Sequence, residues 1–552
     1  MILCSFDQWF LPGIQSHAHL HHWPHALKSN EGDRYSPLLG KGYFASPEMI
    51  ESIRETRAFT PEPSTLGEKI RANIDKGVRK TIGLSLGVKT LTSSTYYVRN
   101  VVGNTTYFAL SLGLPPGTGM SKILSFREGK VKGELARAVL NPKEVDEYIN
   151  KLVKDGVSPN IASFLGATNV RKLTVGYENR DATDVELKDM EQIVEIGMKE
   201  GALGIGSSLI YAPADYANTN ELITICKVAS KFKGKYISHM RNEGRNVLKA
   251  LDELITISKE ANIPAEIYHL KASRKPNWFL LDSIINRVEK ARENGLKITA
   301  DVYTYPASST GLTGVIPTWV QEGGHRAWIE RMKSKKVRKR LLNDIRKELS
   351  EQPPDGILMV GFKNDSLDKI YRGKTIAEAS SMRNQSPEET IVDLVIEDDS
   401  RIQCVYYSMS EENLRKKISL PWVSFCSDAG SYSDIEKDFR THPRAFGSFI
   451  RVIGKFSRDE GVLTLEEAIR KLSGFPAKTL ELDRRGTIEN ENFADVIIFD
   501  PKKVRDLATF NEPLQFAEGV ETVLVNGQVV LESGEHTGIF PGRFVKGIGK
   551  DL

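Results

Sequence analysis

Four histidines and one aspartate lie where short apolar runs of the sequence end, and these side chains can bind a metal ion. His17 and His19 are two residues apart, so both side chains point to the same side of an extended strand. His239, His269 and Asp428 each follow another short apolar run. Such nitrogen and oxygen ligands suit zinc, which activates water and polarises a carbonyl. The pattern predicts metal-assisted hydrolysis, with Asp428 moving a proton from water to the leaving nitrogen.

The segments that must position these residues alternate between strand-like and helical patterns. We predict eight parallel strands, at residues 12–19, 97–104, 160–165, 202–208, 235–239, 264–269, 297–303 and 422–428. The middle strands are about 30 residues apart, which is the length of one strand, one crossover helix and two loops. The sequence therefore predicts an α/β fold, a (β/α)8 TIM-like barrel, whose strand ends bring the five residues together.

Two further regions do not fit the barrel repeat. An insertion at about residues 311–400 separates strands seven and eight, and its own apolar runs predict a subdomain beside the site. After residue 482 the sequence becomes rich in β-forming residues, with strands near 494–500 and 522–531. We therefore predict a barrel domain over residues 1–482 and a small β-sandwich domain over residues 483–552.

The composition excludes several classes of protein. Of the 552 residues, 40% are hydrophobic and 27% are charged, as in soluble globular proteins. The 76 basic residues are balanced by 72 acidic ones, so no nucleic-acid partner is expected. The four cysteines form no CxxC pair, and no apolar window is long enough to span a membrane. We expect a cytoplasmic protein without a membrane partner.

Several longer motifs resemble the D-aminoacylase branch of the amidohydrolase superfamily, the N-acyl-D-amino-acid deacylases. They are Asn160-Ile-Ala-Ser-Phe-Leu-Gly, Gly204-Ile-Gly-Ser-Ser-Leu-Ile-Tyr-Ala-Pro, Tyr236-Ile-Ser-His-Met-Arg-Asn-Glu-Gly, His269-Leu-Lys-Ala, Asp301-Val-Tyr-Thr-Tyr-Pro-Ala-Ser-Ser-Thr, Ser427-Asp, His442-Pro-Arg-Ala-Phe-Gly and Ala494-Asp-Val-Ile-Ile-Phe-Asp-Pro. The resemblance extends from Pro12 over almost the whole chain.

This resemblance implies roles for individual residues. It implies that His239 and His269 hold the tighter zinc and that Asp428 is the general acid and base. A second, weaker metal position would be framed by His17 and His19. The substrate would be a small N-acyl amino acid whose α-carboxylate binds two cations, in a pocket lined by further polar side chains. The residues implied for this pocket are Lys271, Arg444, Tyr211, Tyr303 and Ser309.

The sequence departs from the family pattern in two places. Family members place a metal-binding cysteine after a Gly-Asn pair, whereas Thr105 follows Gly103 and Asn104 here. A neutral hydroxyl is a poor zinc ligand, so we expect one zinc per chain and question the second position. Family members also begin with strands that complete the small β domain. Only about twelve residues precede the first predicted barrel strand, so that domain is expected to be incomplete at its N-terminal side.

The main functional hypothesis is therefore hydrolysis of N-acyl-D-amino acids, and two alternatives stay open. A cyclic-amide hydrolase of the dihydroorotase or hydantoinase type would keep the barrel and lack the carboxylate clamp. A catalytically inactive homologue acting as a binding protein would explain Thr105, because a fold does not guarantee an activity. The sequence does not decide which side chain or acyl group is accepted, or whether the protein forms homo-oligomers.

Overall fold

The structure is a computed structural model that describes residues 2–5, 153–430 and 441–551. Its α-helices are α1 (Ala167–Thr174), α2 (Asp184–Glu200), α3 (Thr219–Lys231), α4 (Val247–Ala261), α5 (Leu281–Glu293), α6 (His325–Lys333), α7 (Lys335–Leu349), α8 (Asp365–Tyr371), α9 (Ile376–Arg383), α10 (Pro387–Asp398), α11 (Glu411–Ser419), α12 (Arg444–Arg451), α13 (Leu465–Leu472) and α14 (Gly474–Thr479). A π-helix, Val452–Asp459, continues directly from α12.

A parallel sheet positions the candidate site. Its strands are β1 (Ile2–Ser5), β2 (Ile161–Gly166), β3 (Gly204–Ser208), β4 (Lys235–His239), β5 (Ala265–Ile267), β6 (Ile298–Val302) and β10 (Val423–Phe425), in this spatial order. Every pair of neighbouring strands is parallel. Glycine is required where β3 and β4 approach each other, because a Cβ at Gly204 would lie 1.9 Å from the carbonyl oxygen of Lys235.

Amphipathic helices connect successive strands and cover the sheet. Helix α2 begins with a capping box, in which Thr183 and Glu186 each accept the other's backbone N–H. It ends at Gly201, whose φ of 107° is a left-handed conformation that glycine adopts easily. The apolar faces of α2 to α5 pack on the strands in one hydrophobic core, with contributions from Leu222 and Leu251. This alternation of strand and helix is the βα repeat predicted from the sequence.

The region between β6 and β10 forms a separate core of its own. An antiparallel sheet there contains β7 (Ser308–Gly311), β8 (Ile357–Gly361) and β9 (Gln403–Tyr406), with β9 in the centre. Helices α6, α7, α9 and α10 contribute buried residues to this second core, among them Trp328, Ile345 and Val392. Residue 482 as a domain boundary stays a prediction.

The C-terminal region forms an antiparallel sheet of β11 (Val496–Phe499), β12 (Val520–Val525), β13 (Gln528–Glu532) and β14 (Glu535–His536). The prediction of one strand over 522–531 was wrong, because β12 and β13 form a hairpin. Asn526 and Gly527 connect them with φ values of 50° and 82°. This pair of positive φ angles is typical of a type I′ Asn-Gly turn.

The described residues confirm the predicted fold class. Six of the eight predicted strands coincide with β2 to β6 and β10, and the strands predicted at 12–19 and 97–104 lie outside the described residues. The sequence analysis missed β1, which pairs with β2 in parallel. This strand has only four residues, too few to show a periodic pattern. Among the helices described, none has both the length and the apolar character that a membrane span requires.

Candidate metal centre and substrate site

The C-terminal ends of the parallel strands carry the candidate site. His239 is the last residue of β4, His269 follows β5 by two residues, and Asp428 follows β10 by three. In α/β barrels this end of the sheet carries the chemistry. The rings of His239 and His269 lie together, with centroids 4.4 Å apart. The other two predicted metal ligands, His17 and His19, lie outside the described residues.

The backbone at two of these positions is strained. His269 and Asp428 have φ angles of 42° and 46°, which only a small fraction of residues other than glycine adopt. The N–H of His269 donates a hydrogen bond to the Asp301 carboxylate at the end of β6, over 2.5 Å. Such strain costs about 1–3 kcal/mol and persists where the surroundings impose it, typically at functional sites. Asp301 therefore helps to set the orientation of the His269 ring.

His239, Glu243 and His269 form a group that could hold a metal ion. One ligand atom from each lies within 4.8 Å of the other two. Glu243 Oε1 is 3.7 Å from His239 Nε2 and 3.0 Å from His269 Nδ1. Two imidazoles and one carboxylate are a ligand set of catalytic zinc sites, which leave a fourth position open.

The hydrogen bonding and protonation of His239 and Glu243 fit a role as metal ligands. Both ring nitrogens of His239 are buried, and neither has a hydrogen-bond partner among the described residues. Burial lowers the pKa of His239 to about 3, so the ring is neutral and can offer a lone pair. Burial alone would raise the pKa of Glu243, but Lys271 and the two histidines hold it well below its usual value. Glu243 is therefore an anion that can balance the charge of a cation.

Lys271 lies against the same group. Its ammonium is 2.9 Å from Glu243 Oε1 and within hydrogen-bond distance of His269 Nδ1. The ammonium also lies 5.4 Å from the centroid of the Tyr303 ring. Only 2% of the Lys271 side chain is exposed, so its charge acts in a low-dielectric environment.

Asp428 and Arg444 form a buried ion pair beside this group. Arg444 Nη1 is 2.5 Å from Asp428 Oδ2, and less than a tenth of either side chain is exposed. Asp428 Oδ1 is buried and has no hydrogen-bond partner among the described residues. Burial alone would raise the pKa of Asp428, but Arg444, followed by His269, Lys271 and His239, lowers it. The aspartate is thus a carboxylate at neutral pH, with one oxygen free to accept a proton.

The three remaining predicted pocket residues have different surroundings. The guanidinium carbon of Arg444 lies over the Tyr303 ring, 4.6 Å from the ring centroid. The Tyr211 ring lies edge-on to the His239 ring, with 5.5 Å between the two centroids. The hydroxyl of Ser309 donates instead to the carbonyl of Cys404 in the inserted sheet, over 2.9 Å. The two tyrosines are therefore adjacent to the metal ligands and cations. Ser309 contacts Arg444 through its backbone carbonyl, which accepts a hydrogen bond from Arg444 Nη2 over 3.3 Å.

Two site residues were given no role in the sequence analysis, Glu243 and Asp301. Both lie inside quoted motifs, and both carry a carboxylate near a strand end. Glu243 follows the strand-end histidine by four residues, so the loop after β4 can turn its side chain back over the barrel. Asp301 lies in β6 beside β5, the strand that precedes His269. A search for every carboxylate near a strand end would have found both.

The neighbouring carboxyl groups of Glu266 and Asp301 should make the stability of the protein depend on pH. Burial and the neighbouring Asp301 raise the pKa of Glu266, which accepts a hydrogen bond from Thr299 over 3.1 Å. The folded state then binds a proton more tightly than the unfolded state, so stability falls as pH rises from the unfolded pKa to the folded one. We expect Glu266→Gln to flatten this slope, by at most about 1.4 kcal/mol per pH unit. Urea unfolding at pH 5, 7 and 9 measures it, and parallel profiles for both proteins would contradict the expectation.

The chain is similar to several known proteins. The profile of the amidohydrolase family matches residues 414–531. The chain is 28% identical over 400 residues to a D-aminoacylase of Alcaligenes xylosoxydans xylosoxydans, with 72% of each chain covered. A crystal structure of D-aminoacylase matches with a TM-score of 0.61 at 28% identity, over 72% of this chain and 74% of the other.

A second solved structure is an N-acyl-D-glutamate deacylase from Bordetella bronchiseptica in complex with zinc and a phosphonate inhibitor. It matches with a TM-score of 0.58 at 26% identity, over 70% of this chain and 72% of that one. These matches confirm the resemblance that the motifs predict. The chain is thus similar to D-aminoacylases and N-acyl-D-amino-acid deacylases over about 70% of its length, and its residues 414–531 match the amidohydrolase family.

Proposed function

We propose that this protein hydrolyses the amide bond of an N-acyl-D-amino acid, giving a carboxylic acid and a free D-amino acid. The observation that carries the proposal is the group of His239, Glu243 and His269 next to the Asp428–Arg444 ion pair. A metal site, a proton acceptor and cations for a carboxylate thus lie at one end of the sheet. The relatives named D-aminoacylase and N-acyl-D-glutamate deacylase support the same reaction class.

The proposed cofactor is one zinc ion per chain, held by His239, His269 and Glu243. Zinc in such a site polarises a carbonyl and promotes the deprotonation of water near neutral pH. Glu243 supplies the negative charge that imidazole ligands lack. His17 and His19 remain the proposed frame of a second, weaker position.

Asp428 is proposed to move the proton. Its Oδ1 accepts a proton from the attacking water, while Oδ2 stays beside Arg444. The same carboxyl group then gives this proton to the amide nitrogen, which leaves as an amine when the C–N bond breaks. Arg444 favours the carboxylate before the attack and makes the protonated form a stronger acid afterwards.

Lys271 and Arg444 are proposed to bind the substrate α-carboxylate. Their cationic groups lie 5.4 Å and 4.6 Å from the centroid of the same tyrosine ring, that of Tyr303. Arginine offers a planar fork for a carboxylate and lysine a point charge, so the two can hold one carboxylate between them. Tyr211, edge-on to His239, would line the side of the acyl amide.

A substrate panel tests the proposed function. The zinc-loaded protein is assayed with N-acetyl-D-amino acids, their L-enantiomers, dihydroorotate and hydantoins, and zinc-stripped protein is the control. We expect hydrolysis of at least one D-compound, with much slower reaction of its L-enantiomer and of the cyclic amides. Hydrolysis of cyclic amides alone would favour the cyclic-amide hydrolase. Hydrolysis of no compound would favour the inactive homologue.

A further inference from the structure

The outer wall of the site carries an arginine that pairs with no carboxylate of the described residues. Arg401 lies in the loop between α10 and β9, and its side chain has no ion-pair partner among the described residues. Its guanidinium carbon is 5.3 Å from the centroid of the Tyr211 ring. The two other cations of the site differ, because Lys271 pairs with a glutamate and Arg444 with an aspartate. Arg401 therefore has its full positive charge available for a ligand.

The Tyr211 ring connects this arginine to the proposed metal site. One side of the ring lies under Arg401 at 5.3 Å, and the ring lies edge-on to His239 at 5.5 Å. The hydroxyl of Tyr211 is hydrogen-bonded to Thr310 over 2.7 Å, which fixes the ring in this place. Arg401 is thus one aromatic ring away from a proposed zinc ligand.

The loop that carries Arg401 is held in a strained conformation. Ile402 has a φ of 48°, which is rare for a β-branched residue. The N–H of Leu312 donates to the carbonyl oxygens of both Arg401 and Ile402, at 2.7 Å and 2.8 Å. Strain of this kind persists only where the surroundings impose it. The backbone of Arg401 is therefore anchored to the inserted region at Leu312.

The chemistry of this position fits a carboxylate ligand. A guanidinium binds carboxylates through two parallel charge-assisted hydrogen bonds. The guanidinium carbon lies over the Tyr211 ring, 5.3 Å from its centroid, within the range of a cation–π contact, and such a contact uses none of the N–H groups as hydrogen-bond donors to a carboxylate. The proposed function already assigns the substrate α-carboxylate to Lys271 and Arg444. An anion at Arg401 is then a different group of the substrate.

We propose that Arg401 binds a second carboxylate of the substrate, so that the protein prefers N-acyl-D-amino acids with acidic side chains. The proposal rests on the proposed function. It assigns a side-chain subsite formed by Arg401 and Tyr211. A neutral side chain would leave the guanidinium of Arg401 without an anion.

The test compares acidic and neutral substrates in matched variants. Wild type, Arg401→Met and Arg401→Lys are assayed with N-acetyl-D-glutamate, N-acetyl-D-aspartate and N-acetyl-D-leucine. For Arg401→Met we expect kcat/KM for the better acidic substrate to fall about ten- to hundredfold, mainly through KM, because a charge-assisted hydrogen bond is lost. The change for N-acetyl-D-leucine should be much smaller, and Arg401→Lys should lose less than Arg401→Met.

Arg340→Met is the matched control, because Arg340 also stacks on an aromatic ring, that of Trp319 at 4.1 Å, within the inserted region. This variant should not change the ratio of acidic to neutral activity. An equal loss for acidic and neutral substrates, or a wild-type preference for N-acetyl-D-leucine, would overturn the proposal. If the wild type hydrolyses none of these substrates, the proposed function fails. The subsite is then tested by calorimetry, which measures the affinity of wild type and Arg401→Met for N-acetyl-D-glutamate. Equal affinity for wild type and Arg401→Met would then overturn the subsite.

Discussion

His239→Ala is expected to remove zinc from the protein and to abolish hydrolysis. The variant keeps only Glu243 and His269 of the proposed ligand group, and two protein ligands are fewer than catalytic zinc sites use. Changes that only disturb the support of a ligand already weaken metal binding about 10- to 100-fold. Loss of the ligand itself should exceed this range. The expected zinc content falls from one per chain to nearly none.

Metal analysis after dialysis at a fixed free zinc concentration measures this effect without an activity assay. Cobalt substitution gives a second readout, because the visible absorption of a bound cobalt ion reports its ligands. His325→Ala is the control, since His325 is an exposed histidine that pairs with Asp399 in the inserted region. A His239→Ala protein that still binds one zinc per chain would contradict the assignment of His239.

Strands β2 to β5 were predictable because most of their residues are buried and an amphipathic helix lies between each strand and the next. All five residues of β4 are buried, which gives a continuous run ending in a histidine. The type and the end of such a strand can both be read from the sequence. The positions of His239, His269 and Asp428 at one end of the sheet follow from the parallel topology alone.

The partners of the site residues were not predictable from local patterns. Lys271 contacts Glu243 from a different loop, and Arg444 contacts Asp428 from the first residue of α12. Loop conformation decides these contacts, and neither helical nor strand periodicity describes it. The family resemblance implies that both cations bind the substrate carboxylate, and the structure also gives each a carboxylate partner in the protein. Histidine and aspartate adopt left-handed backbone angles more often than most other residues, but nothing in the sequence indicates that His269 and Asp428 do so.

These ion pairs bear on how the site can prefer one substrate to another. A substrate carboxylate that binds Lys271 or Arg444 must share the cation with Glu243 or Asp428. The free energy that the substrate carboxylate gains by binding such a cation is smaller than the gain from binding a cation without a partner. The reason is that part of the positive charge is already neutralised. Arg401, which has no such partner among the described residues, does not share its charge. The proposed side-chain subsite should therefore contribute more to the preference for one substrate over another than the two cations that already have a carboxylate partner.

Asp428→Asn is expected to lower kcat about 10²- to 10⁴-fold, the range for removal of a general acid or base. Asparagine keeps the size of the side chain but cannot take the proton at Oδ1. Zinc content should stay at one per chain, because Asp428 is not part of the His239 group. The Michaelis constant should not rise, because Arg444 then has no carboxylate to share with the substrate.

The control is Asp506→Asn, which removes the carboxylate from another ion pair of the same helix. Asp506 pairs with Arg451, the last residue of α12, over 2.7 Å, whereas Arg444 is the first. Both variants leave an arginine of this helix without its carboxylate, so a comparable loss of thermal stability is expected from each. Only Asp428→Asn should lower kcat, since only Asp428 lies beside the proposed metal ligands. Equal kcat values for the two variants would show that Asp428 stabilises the fold and carries no proton.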